Sequence, residues 1–149
     1  MKPVTVSVEI ACPPGRAWTY LVDAERNVQW LDNMQSCRWI TEPPIAAGSR
    51  YEQVAMFLGK HVRTTFEVTE LRDGKEITIS SLPGSSFPLT ITRRLDPVNA
   101  RRCRVTEIAG GDPRGFYRLA EPLMRPLVRR NIARAYAKLK RLLETPDAR

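Results

Sequence analysis

The sequence predicts an α+β fold in which a seven-stranded, strongly curved antiparallel sheet grips one long C-terminal helix. Three observations predict it. Period-two alternation recurs along the chain as far as Gly110 and Gly111, only short breaks separate the alternating runs, and the remainder switches to helical spacing. Short connections make sequence neighbours antiparallel partners in a meander. A twisted sheet can wrap around a long helix and bury the apolar stripe of that helix.

The first run, VTVSVEI at 4–10, sets Val4, Val6, Val8 and Ile10 against Thr5, Ser7 and Glu9, as a half-buried strand does. CPPG stops it, and its prolines suit the first turn of a helix, where their missing N–H is not needed. Over 13–22, Trp18, Leu21 and Val22 then fall on one helical face. A second helical turn around RNVQWL presents Val28, Trp30 and Leu31, which makes two short helices between strands one and two. Six further strands are expected at about 35–42, 50–58, 61–71, 75–82, 87–95 and 102–109, broken by EPPIAAG, GK, DG, PGSS and DPVNA. Asp73-Gly74 is a strong hairpin signal and Gly59-Lys60 a weaker one.

After GGDPRG, Leu119, Leu123, Leu127, Ile132, Ala135, Leu139 and Leu142 follow helical spacing. Arg118, Arg125, Arg129, Arg134, Lys138 and Arg141 take the other face. Pro122 and Pro126 should kink the first turns or delay the regular helix until after them. A helix over about 126–144 would span roughly 28 Å, enough to cross the sheet. A single domain over 1–145 is expected, with 146–149 a loose tail.

Lys and Arg number 24 against 16 Asp and Glu, a net charge of +8; five of the 24 are Lys, so 19 are Arg. That balance attracts anions, so acidic lipid, nucleic acid and anionic ligands all stay open as partners. The Arg-rich helix lacks the interleaved aromatics that stack bases, which disfavours nucleic acid; a peripheral anionic membrane remains open. No stretch approaches the ~20 apolar residues of a membrane span. MKPVTVSVEI reads as a strand and not as a signal peptide, so the cytoplasm is the expected compartment.

Cys12, Cys37 and Cys103 are odd in number, far apart and set in or beside apolar runs, as reduced buried thiols are. A single His, His61, and no His/Cys cluster at ligand spacing argue against a metal. No glycine pattern for a phosphate or a dinucleotide and no nucleophile elbow occur, so no cofactor is expected.

The segments VSVEIACPPGRAWTYLVDAERNVQW, GSRYEQ, FEVTEL and the terminal LKRLLE span nearly the whole chain. In this order and at these separations they resemble the SRPBCC, or START-like, superfamily, and within it the bacterial polyketide cyclase/dehydrase-like group. The resemblance implies a helix-grip fold with a deep cavity between sheet and long helix, holding a small hydrophobic ligand. It selects no single activity, since this fold hosts lipid carriers, plant hormone receptors, cyclases and chaperone activators. On this reading the helix at 13–22 and the turn bearing Trp30 close one end of the grip. Trp18 and Trp30 then serve as wall or plug, and each also reads as a core aromatic.

Polar residues in apolar registers are the remaining candidates for chemistry. Arg93 shares a strand face with Leu89, Ile91 and Leu95, and Glu107 shares one with Cys103, Val105 and Ala109. If their strands pair as a hairpin, the two meet, either as a structural ion pair or as a site for a carboxylate, enolate or phenolate. Tyr51, Gln53, Ala55 and Phe57 oppose Glu52, Val54, Met56 and Leu58, and this pattern leaves open which set faces inward. If the first does, Tyr51 can donate a hydrogen bond or a proton to a carbonyl. Phe66 belongs to the core face of its strand, which puts His61 outside or at the mouth. Leu127 and Asn131 are the helix residues expected to touch cavity contents.

The candidate ligand-binding set is therefore Trp18, Trp30, Tyr51, Gln53, Phe66, Arg93, Glu107, Leu127 and Asn131, with Arg93, Glu107 and Tyr51 the candidates for catalysis. The expected function is a carrier or binding protein for a small hydrophobic or aromatic molecule. The alternatives are an aromatase/cyclase-type enzyme acting on a polyketide-like chain, and a lipid- or quinone-handling protein on an anionic membrane. Monomer and homodimer both fit, since an edge strand or EPPIAAG could form an interface.

Overall fold

A computed structural model describes residues 3–57, 59–85, 88–111 and 116–145. Strand β1 (Val4–Ile10) leads into α1 (Pro14–Val22) and a 3₁₀ helix (Ala24–Gln29). Then come β2 (Met34–Trp39), β3 (Arg50–Phe57), β4 (Lys60–Arg72), β5 (Glu76–Ser81), β6 (Leu89–Asn99), β7 (Arg102–Gly111) and α2 (Phe116–Glu144). All seven strands form one antiparallel sheet in the order β1-β7-β6-β5-β4-β3-β2. The strands from β2 to β7 are a meander, and β1 pairs with β7 from outside it, Val4 against Ala109 through Ile10 against Cys103.

Local chemistry places the breaks. Pro14 sits in the first turn of α1, where a missing N–H costs nothing. Asp23 ends α1 in extended backbone, and its carboxylate accepts from Glu25 N to start the 3₁₀ helix. At the β4–β5 hairpin, Gly74 has φ +75°, a conformation that side chains with a Cβ rarely adopt.

Most strand ends fall within three residues of the sequence reading, β2 ending early at Trp39, but two boundaries differ more. DPVNA does not end β6: the strand continues through Pro97 to Asn99, and a register shift between those two residues takes the proline into the hairpin. The second difference is at α2, which begins at Phe116 and not after Pro126. Each proline removes one backbone donor, and the helix-favouring residues around them hold the helix on either side.

The longer helix also corrects its expected stripe. Ala135, Tyr136, Leu139 and Leu143 are buried against the sheet, but Leu123 and Leu127 are exposed by 78% and 54%. The step from Leu127 to Ile132 is five residues, which breaks the three-and-four spacing and turns the earlier leucines outward. Arg125 and Arg129, expected on the free face, instead donate to the carbonyls of Pro3, just before β1 (2.9 Å), and of Thr5 in β1 (3.1 Å). Lys140 does the same to Glu9 O at 2.9 Å. Since β1 is an edge strand, its outward carbonyls need partners, and part of the arginine-rich helix supplies them. The tail expected at 146–149 lies outside the described residues, and so do the side chains of Arg118 and Leu119 and with them their expected faces.

Candidate functional site

The inner face of the sheet, α2 and the loop after the 3₁₀ helix enclose a cleft of about 200 Å³. Tyr51 and Gln53 of β3, Phe66 of β4 and Leu89, Ile91 and Arg93 of β6 form its sheet wall, with Glu107 of β7 beside Arg93. Asn131, Ile132 and Ala135 face it from α2. Asn27 and the loop residues from Leu31 to Met34 complete the lining. The surface of the cleft is mostly apolar, and the buried Arg93–Glu107 pair forms a polar centre in its wall.

That polar centre is built by strand register. Arg93 and Glu107 are direct partners across β6 and β7, and both are almost fully buried, 4% and 5% exposed. Arg93 Nε lies 3.4 Å from Glu107 Oε1, a long contact for a charge-assisted bond. The shorter bond to the same oxygen comes from the Tyr136 hydroxyl at 2.8 Å. Arg93 Nη1 donates to Leu21 O (3.1 Å) and Asn27 Oδ1 (3.3 Å), and its guanidinium stacks 4.8 Å above the Trp30 ring. Burial alone opposes the Arg93 charge; the Glu107 carboxylate beside it outweighs that and holds its pKa above the ordinary value. Burial first, and then the neighbouring Glu107 carboxylate, push the Tyr136 phenol far up, so it stays a neutral donor.

Tyr51 shows which β3 face points inward. It is buried, stacks on Phe66 at 5.4 Å and meets the Trp39 edge at the same separation. On the opposite face Glu52 pairs with Arg63 in solvent at 2.8 Å. The Tyr51 hydroxyl has no hydrogen-bond partner among the described residues, and burial raises its pKa.

Of the residues singled out in the sequence, Tyr51, Gln53, Phe66, Arg93, Glu107 and Asn131 come together around the cleft. Trp18, Trp30 and Leu127 do not line it. Trp18 lies at the α1 end, where its indole N–H donates to Asp73 at 3.1 Å and ties α1 to the β4–β5 turn. Trp30 is fully buried behind Arg93, edge-on to Tyr136 at 5.0 Å. Leu127 faces solvent because of the phase of α2. His61 is on the outer side, 3.4 Å from the Gln35 amide.

Asn27 and Tyr136 are the polar partners that sequence reasoning missed. Tyr136 sits at helical spacing from Ile132 and Leu139, so its place in the inner stripe was readable. Asn27 lies in a segment without periodicity and gave no such signal. The described residues contain no His/Cys/Asp/Glu group able to hold a metal. No helix among them is long and apolar enough to cross a membrane.

A curved sheet closed over a long helix, with a cleft between them, defines the helix-grip architecture. Over residues 1–144 the chain matches the family described as polyketide cyclase/dehydrase and lipid transport, and it belongs to that family. No curated protein matches it in sequence. Among solved structures it is similar to TTHA0849 from Thermus thermophilus, at 23% identity and a TM-score of 0.76, over 93% of this chain and 94% of that one. The Zhui aromatase/cyclase from a Streptomyces species is similar at 17% identity and 0.71, covering 93% and 91%. A START superfamily protein from Mycobacterium smegmatis is similar at 15% identity and 0.70, covering 97% and 95%.

Proposed function

We propose that this protein binds a small hydrophobic or aromatic molecule in the cleft between sheet and α2, as a carrier or binding protein. The observation that carries the reading is a cleft of about 200 Å³ whose surface is mostly apolar and whose wall holds the Tyr51 phenol and the Arg93–Glu107 pair. Ligand sites generally have this make-up, with apolar surface for affinity and few polar groups for orientation. The volume suits a one- or two-ring molecule, since roughly 150 Å³ already holds benzene. Membership of a family that includes lipid transport supports the same reading.

A second reading, an aromatase/cyclase-type enzyme, is favoured by the convergence of Tyr51, Arg93 and Glu107 on one wall. A phenol and a guanidinium there could stabilise an enolate during ring closure. Two features weigh against it: the described cleft is small for a folded poly-β-ketone chain, and most of Arg93 is already engaged by Glu107, Leu21 and Asn27.

Native mass spectrometry of freshly purified protein tests the proposal, with any retained molecule identified after denaturation. The expected result is one small apolar adduct per chain, lost in an Ala135→Trp variant whose side chain fills the cleft. A chemically altered molecule released after incubation with a polyketide-like substrate would favour the enzyme. Absence of any adduct, together with no mass shift across a panel of apolar ligands, would sink the binding reading.

A further inference from the structure

We infer that the cleft selects a neutral ligand whose oxygen accepts a hydrogen bond, such as a ketone or a quinone, and turns away carboxylates. Tyr51 is the donor and Glu107 the group that rejects anions. This rests on the binding reading above and names the ligand class of the same site.

Tyr51 carries the first half. Its ring is fixed between Phe66 and Trp39, and the residue is only 2% exposed. Tyr136, the other buried phenol of the region, spends its hydroxyl on Glu107. The Tyr51 hydroxyl donates to nothing among the described residues, although the residue lines the cleft. The hydroxyl is open to the cleft, so a ligand that fills that space must offer it an acceptor oxygen or leave a polar group dry. Desolvation raises the Tyr51 pKa, which keeps that donor protonated at every physiological pH.

Charge carries the second half. Arg93 looks like a carboxylate receptor in the sequence, but Glu107 already matches its charge; Nε faces that carboxylate, Nη1 serves Leu21 O and Asn27, Trp30 covers one face, and only Nη2 has no hydrogen bond among the described residues. The charged residues of the lining are Asp32, Arg93 and Glu107, which sum to −1. Arg134 and Lys138 approach the cleft only at Asp32, each 4.0 Å away, and so offset that carboxylate at the rim. A bound carboxylate would put a second anion beside Glu107, and Arg93, the one cation of the described lining, is already matched in charge by Glu107. The +8 of the whole chain does not change this local pairing, since its long-range attraction for anions is screened beyond about 10 Å at moderate salt.

Calorimetric titration of the full chain with three matched probes tests this: an acetylnaphthalene, the corresponding naphthoate and ethylnaphthalene. The ketone should bind at least about tenfold more tightly than the naphthoate. Tyr51→Phe should weaken the ketone about five- to tenfold and leave ethylnaphthalene within about twofold. Glu107→Gln should reverse the preference, because naphthoate then supplies the charge that Arg93 has lost, and naphthoate should raise the melting temperature of that variant. If Glu107→Gln does not fold, Tyr51→Phe and the wild-type ranking still decide. Equal binding of ketone and naphthoate, or no loss in Tyr51→Phe, overturns the inference while leaving the binding reading intact. Failure of all three probes removes both.

Discussion

At Glu107 a single carboxylate oxygen meets two donors, the Tyr136 hydroxyl and Arg93 Nε, inside the protein. Such a pair holds together through completeness and not through strength. Removing one member leaves the other charge buried without a counter-ion, which typically costs about 3–5 kcal/mol, whereas replacing both with apolar residues of similar size is often neutral. Urea denaturation should therefore show Glu107→Ala losing about that much, and the double variant Arg93→Met/Glu107→Leu lying much closer to wild type. A double variant as unstable as the single one would mean that the pair contributes net attraction. The thiols make a second residue-scale case. Burial pushes Cys37 up to about 11 and Cys103 up to about 12, and raises Cys12 as well. A disulfide reagent at mildly alkaline pH should find none of the three in the native protein and all three in denaturant.

This polar centre was half legible in the sequence. Strict alternation in β6 and β7 put Arg93 and Glu107 on inward faces, and the short hairpin put them in register. What alternation cannot give is the third dimension. That Tyr136 of α2 and Asn27 of the 3₁₀ helix close on the same pair depends on how distant elements pack, and no local period encodes it.

At the scale of the element, α2 has two jobs along its length. Its C-terminal half is a core helix; Leu139→Ala should cost about 2–5 kcal/mol by the usual cavity penalty. Its earlier leucines are exposed, so Leu127→Glu should change stability by no more than about 0.5 kcal/mol. Reading both as one stripe failed because helical spacing drifts when a step of five intervenes. The far end of the helix is tied to β1 by Lys140 and Glu144, the latter also accepting from Ala11 N at 2.8 Å. Lys140 first, and then the Ala11 N–H, lower the Glu144 pKa from 4.5. A lowered folded pKa contributes stability that is present above about pH 4.5 and lost as the pH falls through the folded value. Glu144→Gln should therefore lower stability slightly at neutral pH, flatten the acid side of the curve and converge with wild type as the pH falls. The group is exposed, so the effect should shrink with salt.

For the whole molecule, the order of elements was the most legible level of all. Seven alternating runs, short turns at Gly59 and Gly74, and a terminal helical stretch leave few ways to bury every apolar face, and the observed sheet order is one of them. The cleft was not legible in the same way, because an enclosed volume depends on which side chains stop short of meeting. Trp18 and Trp30, the natural candidates for its wall, proved to be the fasteners of α1 and of Arg93. The central claim is that the space between sheet and α2 is where a ligand binds. Titrating nitrogen-labelled protein with ethylnaphthalene and following backbone amide signals tests it most directly. The account predicts saturable shifts concentrated at Tyr51, Gln53, Ile91, Ile132 and Ala135. Shifts clustered on another surface, or none at saturating probe, would contradict it.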